Sequence, residues 1–150
     1  MKRIAIIVNA FGGSTTSLAE AFLNQGYKVD FYHLIPRKKS ASFETFDLSL
    51  RGGLFSIVPV RSFDYDGLRR FIPFARNKYF SMYQISVVEL SSMGIRCFIN
   101  PILVLYYVKL ARRIIKQKYD FVNVIGQNKS TAFLSVILRS KGVNVVHSVH

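Results

Sequence analysis

The sequence predicts an α/β fold, a doubly wound and mainly parallel sheet with helices on both faces. Three observations lead there. Arg3–Val8 and Asp120–Ile125 are short apolar runs rich in β-branched residues, the pattern of strands buried on both faces. Each run is followed by a helix-length stretch with apolar residues at helical spacing, and then by a second β-branched run. Gly26 and Gly142 stand where those helices stop, as left-handed C-caps do. Strands joined through a helix run parallel, because a short link cannot return the chain to its starting edge.

Arg3–Val8 forms the first strand and, with helical crossovers on both sides, belongs at the centre of the sheet. Ala10-Phe11-Gly12-Gly13 ends it, and Ser14, Thr15 or Thr16 supplies the helix cap. Leu18, Ala21, Phe22 and Gln25 fall on one stripe of that helix, and Val29, Phe31 and Tyr32 open the second strand. Residues 37–53, with Arg37-Lys38-Lys39 and Gly52-Gly53, read as a loop. Phe55–Val60 reads as a strand that Pro59 confines to an edge or an end. Gly67–Tyr83 is basic and aromatic and reads as one or two short helices broken near Pro73, while Gln84–Ser92 has no assignable period. Pro101–Lys118 is an amphipathic helix, with Leu103, Tyr106, Tyr107, Leu110 and Ile114 on one face and Lys109, Arg112, Arg113 and Lys116 on the other. It is either a crossover helix with a solvated basic face or a membrane-surface helix. Lys129–Ser140 is a helix with Ala132, Phe133, Val136 and Ile137 at core spacing, and Val143–Val149 is the last strand.

At 150 residues, half of them apolar, the chain is one domain with enough apolar surface for a core. The lone Cys97 excludes an internal disulfide and a Cys-based zinc site, and points to a reduced, intracellular setting. The run Ile4–Val8 is too short for a signal peptide. Cys97–Val108, interrupted by Asn100 and Pro101, stops short of the roughly 20 residues a membrane helix needs. The net charge is +13 and is concentrated in residues 61–118, where only Asp64, Asp66 and Glu89 oppose eleven basic side chains. Such a field attracts phosphates on nucleic acid, anionic lipid or nucleotide, and composition does not choose among them.

Gly12-Gly13, between a strand end and a helix start, is either an ordinary tight turn or a place where a phosphate approaches unpaired backbone N–H groups. No G-x-G-x-x-G or Gly-Lys-Ser/Thr is present, which weakens a dinucleotide site and excludes a P-loop. His33 and His147 lie within strands and read as structural, whereas His150 lies just past a strand's carboxyl end, where open α/β sheets place ligands. No Ser/His/Asp set and no metal-binding carboxylate cluster is visible. Arg69-Arg70-Phe71 and Arg76-Asn77-Lys78-Tyr79-Phe80 interleave cations with aromatics, but no RNA-recognition or helix-turn-helix signature accompanies them, so no nucleic-acid partner is expected.

Together the two ends resemble group 1 glycosyltransferases, the retaining two-domain enzymes of GT-B architecture. The likeness rests on Ile4-Ala5-Ile6-Ile7-Val8, Gly12-Gly13, Leu18-Ala19-Glu20-Ala21-Phe22 and Gly26-Tyr27-Lys28-Val29 at the start of the chain. At its end stand Tyr119-Asp120-Phe121-Val122-Asn123-Val124 and Gly142-Val143-Asn144-Val145-Val146-His147-Ser148-Val149-His150, one strand beginning at Asp and the next ending in His. The resemblance implies that residues 1–150 are a Rossmann-like, acceptor-side domain facing a nucleotide-sugar domain that this chain lacks. It also implies that the chain is a fragment, inactive alone. Gly12 and Gly13 match the family's glycine loop near donor phosphates and acceptor, with Ser14 beside them. His150 matches the strand-end His near the transferred sugar and is the catalytic candidate. Asn123 replaces the His often found in its strand, and the Glu-x7-Glu element belongs to the missing domain.

The expected function is therefore retaining transfer of a sugar from a nucleotide-sugar to a saccharide or lipid-linked acceptor, in cell-envelope polysaccharide synthesis. No metal and no covalent cofactor are expected. The setting is cytoplasmic and peripheral to the membrane, held by Arg69, Arg70, Arg76, Lys78, Lys109, Arg112, Arg113 and Lys116, with Phe71, Phe74, Tyr79 and Phe80 adding burial at the interface. The alternative is a non-enzymatic basic module for anionic lipid or nucleic acid. An NADP enzyme, with Arg37-Lys38-Lys39 facing the phosphate, is disfavoured by the glycine pattern.

Overall fold

The computed structural model describes residues 1–9, 13–36, 57–59, 77–87, 101–126 and 129–148. Its elements in chain order are β1 (Arg3–Val8), α1 (Gly13–Asn24), β2 (Lys28–Pro36), β3 (Ile57–Pro59), β4 (Phe80–Val87), α2 (Pro101–Ile115), β5 (Phe121–Ile125), α3 (Lys129–Ser140) and β6 (Val145–Ser148). The sheet order is β3-β4-β2-β1-β5-β6. β1 lies between β2 and β5, β4 and β6 extend the sheet outward, and these five strands are parallel. β3 is antiparallel to β4 at the edge, where the missing N–H of Pro59 costs no interior ladder bond. The doubly wound sheet with a central first strand is thus as expected. The loop expected over 37–53 and the segment 61–76 lie outside the described residues.

β1 shows why the first run is continuously apolar. Ile4, Ile6 and Val8 join one core with Ala19 of α1, Val29, Phe31 and Ile125. Ala5 and Ile7 join the other, with Tyr107, Leu110, Ala111 and Ile114 of α2 and Leu134, Ile137 and Leu138 of α3. Both faces are covered, so every second residue that would be polar on a one-sided strand is apolar here. Each fully buried Ile or Leu contributes about 1.5–3 kcal/mol.

Two helix faces differ from the sequence reading. α1 begins at Gly13, so Ser14, Thr15 and Thr16 lie in its first turn rather than capping it. Its inward side is Thr15, Leu18, Ala19, Phe22 and Leu23, whereas Ala21 and Gln25 are exposed. α3 buries Thr131, Leu134, Ser135, Ile137 and Leu138 and leaves Ala132 exposed and Val136 62 % exposed. The hydroxyls hid this stripe: Ser135 Oγ donates to the Thr131 carbonyl at 2.9 Å, so a polar residue is buried with its bond made inside the helix. α2 ends at Ile115 rather than Lys118.

The reading of 67–83 as helical is also corrected where the residues are described. The Asn77 side-chain oxygen accepts the Tyr79 N–H at 2.9 Å, and its carbonyl accepts the Phe80 N–H at 3.1 Å. This turn launches β4, which buries Phe80, Met82 and Ile85. Phe80 is therefore core, not an interfacial aromatic.

The glycine stops hold. Gly26 has φ +86° and Gly142 φ +83°, and each helix closes with paired bonds, Tyr27 N–H to Phe22 and Gly26 N–H to Leu23, Val143 N–H to Leu138 and Gly142 N–H to Arg139. At the third such end Lys118 takes φ 55°. There Arg3 Nη1 donates to the Gln117 carbonyl at 2.8 Å. The same arginine reaches Asp30, a buried acid in β2, through Nη2 at 3.3 Å. Tyr119 OH donates to the same carboxylate oxygen at 2.6 Å and lies 2.5 Å from Tyr32 OH. This buried polar chain ties β1, β2 and the start of β5 together; nothing in the sequence singled it out.

Candidate functional site

A doubly wound sheet opens a crevice at the carboxyl edge where neighbouring strands send their crossovers to opposite faces. Here that point lies between β1, which leads to α1 on one face, and β5, which leads to α3 on the other. Val8 pairs with Ile125, so Asn9 and Gly126 stand side by side at the strand ends. A Cβ on Gly126 would fall 2.8 Å from Asn9 Oδ1, 2.8 Å from Thr131 Cγ2 and 3.0 Å from Thr131 Oγ1. Any larger residue at this position requires the Asn9 or Thr131 side chain to shift. Its backbone is held as well: Gly126 N–H donates to the Ser148 carbonyl at 3.1 Å, and His147 Nε2 lies 3.1 Å from the Gly126 carbonyl. A carbonyl only accepts, so Nε2 carries the proton. Ser148 Oγ donates to Asn123 Oδ1 at 3.4 Å, which gives the buried Asn123 a structural partner.

His33 pairs in register with Val8 and is half-buried at the same edge. Burial pushes its imidazole below the ordinary histidine range, and a hydrogen bond with the Asn9 backbone opposes this in part, so the ring is neutral at neutral pH. α1 begins at Gly13 and α3 at Lys129, a few residues beyond the two strand ends, and neither has an acid in its first turn. Each helix start carries about half a positive charge. The edge thus brings two helix N-termini to neutral polar groups, an arrangement suited to an anionic, hydroxyl-rich ligand. Among the described residues no group of three His, Cys, Asp or Glu could hold a metal.

Of the sites expected from sequence, Gly13 opens α1 and Ser14 follows it. Gly12, His150, Arg69, Arg70 and Arg76, with Phe71 and Phe74, lie outside the described residues. Lys78 is exposed in the turn before β4, and Lys109, Arg112, Arg113 and Lys116 are exposed on or just after α2. The opposite side of α2 is in the core, so α2 is the crossover helix of the two readings. His147, read as structural, is half-buried with Nε2 on the Gly126 carbonyl. Asn9, Gly126 and Thr131 were missed as site residues; the available signal was a polar or glycine residue directly after each of two apolar strands.

Neither a family model nor a curated protein matches the sequence. Solved structures do match the fold. OtsA in its apo form, a GT-B glycosyltransferase, is similar over 99 % of this chain and 33 % of its own, at 9 % identity and TM-score 0.53. An α,α-trehalose-phosphate synthase (UDP-forming) from Burkholderia vietnamiensis is similar over 99 % and 32 %, at 12 % identity and TM-score 0.48. The C-terminal domain of a hydrogenase from Pyrococcus furiosus is similar over 97 % and 89 %, at 12 % identity and TM-score 0.47. The chain spans about a third of the length of OtsA. The class so defined is an α/β, Rossmann-like domain whose fold is similar to that of part of OtsA. No helix among the described residues is long and apolar enough to cross a membrane.

Proposed function

We propose that the chain is the acceptor-side portion of a sugar-nucleotide-dependent, retaining glycosyltransferase that works at an anionic membrane surface. The observation that carries this is the Asn9–Gly126–Thr131 cluster at the switch point, where β1 leads to α1 and β5 to α3. Negative charge that grows on a departing nucleotide phosphate is stabilised by fixed dipoles already aimed at it. In this reading Gly12, Gly13 and Ser14 are the residues that meet the donor phosphates and the acceptor. His150 orients the transferred sugar, and the neutral His33 supplies a hydrogen bond without a competing charge. The fold shared with OtsA supports the reading, and the cationic surface supports a membrane setting for a saccharide or lipid-linked acceptor.

The test is nucleotide release by the complete gene product, assayed with a panel of nucleotide-sugars and acceptors. Acceptor-dependent release is expected, with Gly13→Val and His150→Ala each lowering kcat at least tenfold while the thermal midpoint stays near wild type. Absence of both binding and turnover across the panel overturns the reading.

A further inference from the structure

The five parallel strands all start at the edge opposite the crevice, and a lysine stands at or within four residues before the start of each. Lys2 precedes β1, Lys28 opens β2, Lys78 precedes β4, Lys118 precedes β5 and Lys141 precedes β6. In sequence they are scattered over 140 residues. The strand order ranks them across this edge as Lys78, Lys28, Lys2, Lys118 and Lys141, the last two in the turns that end α2 and α3. Strands lie about 4.8 Å apart, so the row spans roughly 19 Å. Lys28 is half-buried and the other four are exposed, and none is in an ion pair with a described residue.

The ordinary reason for cations here is the three helix C-termini, which share this edge. Each carries roughly −0.5 charge, together less than a third of what the five lysines supply. Of the acids at this level, Asp30 is buried with Arg3 and Tyr119, while exposed Asp120, whose Oδ2 accepts the backbone Arg3 N–H at 2.7 Å, keeps its charge and offsets one lysine. A surplus of positive charge remains along this edge.

We propose that this amino-terminal edge is the face that docks on an anionic bilayer, with the strands standing away from the membrane. The proposal rests on the membrane setting of the proposed function and moves the contact from the basic face of α2 to the sheet edge. Lipid is favoured over nucleic acid for two reasons. The row is lysine, a point charge, rather than arginine, whose planar fork reads phosphates and bases. The tyrosines of the edge have their rings engaged: Lys2 Nζ lies 6.0 Å from the Tyr27 centroid, Lys78 Nζ 4.9 Å from that of Tyr79, and the Arg3 guanidinium 5.3 Å from that of Tyr119. They are poorly placed to stack bases, as binding of a single strand requires. At the same edge a cavity of about 300 Å³ is lined by Lys118 and Lys141, with Ile115, Val122 and Val143 in its wall and the Asp120 carboxylate beside them. β1 has six residues, so the crevice stands roughly 20 Å above the headgroups, and an acceptor anchored in the bilayer must span that distance.

Co-sedimentation of the chain with phosphatidylglycerol-containing vesicles, and with pure phosphatidylcholine, tests the proposal at low and high salt. Each lysine at the surface is worth about fivefold in partitioning. The triple variant Lys2→Gln/Lys118→Asn/Lys141→Gln should weaken binding to the anionic vesicles roughly a hundredfold, with its thermal midpoint unchanged or raised. Lys109→Gln/Arg112→Gln on α2 should weaken it less than twofold. Loss in the α2 pair with none in the edge triple overturns the edge assignment and leaves the membrane setting intact. No binding, or equal binding to both lipids, overturns the edge and the membrane setting together; the nucleotide-release assay then judges the transferase reading separately. Tighter edge-dependent binding of a single-stranded oligonucleotide than of vesicles, at matched salt, also overturns it.

Discussion

Replacing Tyr119 by Phe removes one hydroxyl and leaves the ring in place. Asp30 is 3 % exposed, and its Oδ1 has no hydrogen-bond partner among the described residues. Its Oδ2 accepts from Tyr119 at 2.6 Å and from Arg3 at 3.3 Å, so the variant removes the shorter of the two bonds. A hydrogen bond to a charged group is worth about 1.5–3 kcal/mol, and Tyr32 loses its partner at the same time, for about 1 kcal/mol more. The expected destabilisation is about 2–4 kcal/mol, which lowers Tm by roughly 5–15 °C at this chain length. Urea unfolding followed by circular dichroism measures it. Alkaline pH gives a second readout. Burial, first of all, pushes the Tyr32 and Tyr119 phenols well above their ordinary value, so both keep their protons in the folded chain. Above the unfolded phenol pKa of about 10 the unfolded chain binds fewer protons, and stability falls as pH rises, by about 1.4 kcal/mol per pH unit for each group. Tyr119→Phe removes one such group and should roughly halve that part of the slope. A variant within about 0.5 kcal/mol of wild type, the lower limit of a typical bond, or one with an unchanged alkaline slope, refutes the reasoning.

Three further outcomes are expected. The lowered pKa of His33 means that, below the unfolded value of about 6.5, the unfolded chain binds the extra proton first; stability should fall on acidification from there, and His33→Gln should flatten that fall in melts from pH 7 to 5. Gly126→Ala forces a methyl to 2.8 Å from Asn9 and Thr131 and should cost about 1–3 kcal/mol by calorimetry, whereas Gly126→Ala without loss would mean that the cluster yields freely. Lys118→Gly relieves a left-handed backbone at φ 55° and should stabilise the chain by up to about 1 kcal/mol in urea.

Local chemistry alone determined a good deal. A strand covered on both faces must be apolar at successive residues, and Ile4–Val8 declares this without any knowledge of its neighbours. Gly26 and Gly142 mark helix ends because few other residues take that φ cheaply, and Pro59 marks an edge because it lacks an N–H. Which helix face turns inward was not: Thr131 and Ser135 are buried because one bonds the other's backbone within α3 and the sheet closes over both, a circumstance no hydrophobicity pattern records. Phe80 became core because Asn77 turned the chain into β4 beside β2. The meeting of Asn9, Gly126 and Thr131 and the ranking of five lysines across one edge both join residues far apart in the chain. Parallel strand order alone sets such neighbours, because it lays every strand's start on one edge and every strand's end on the other.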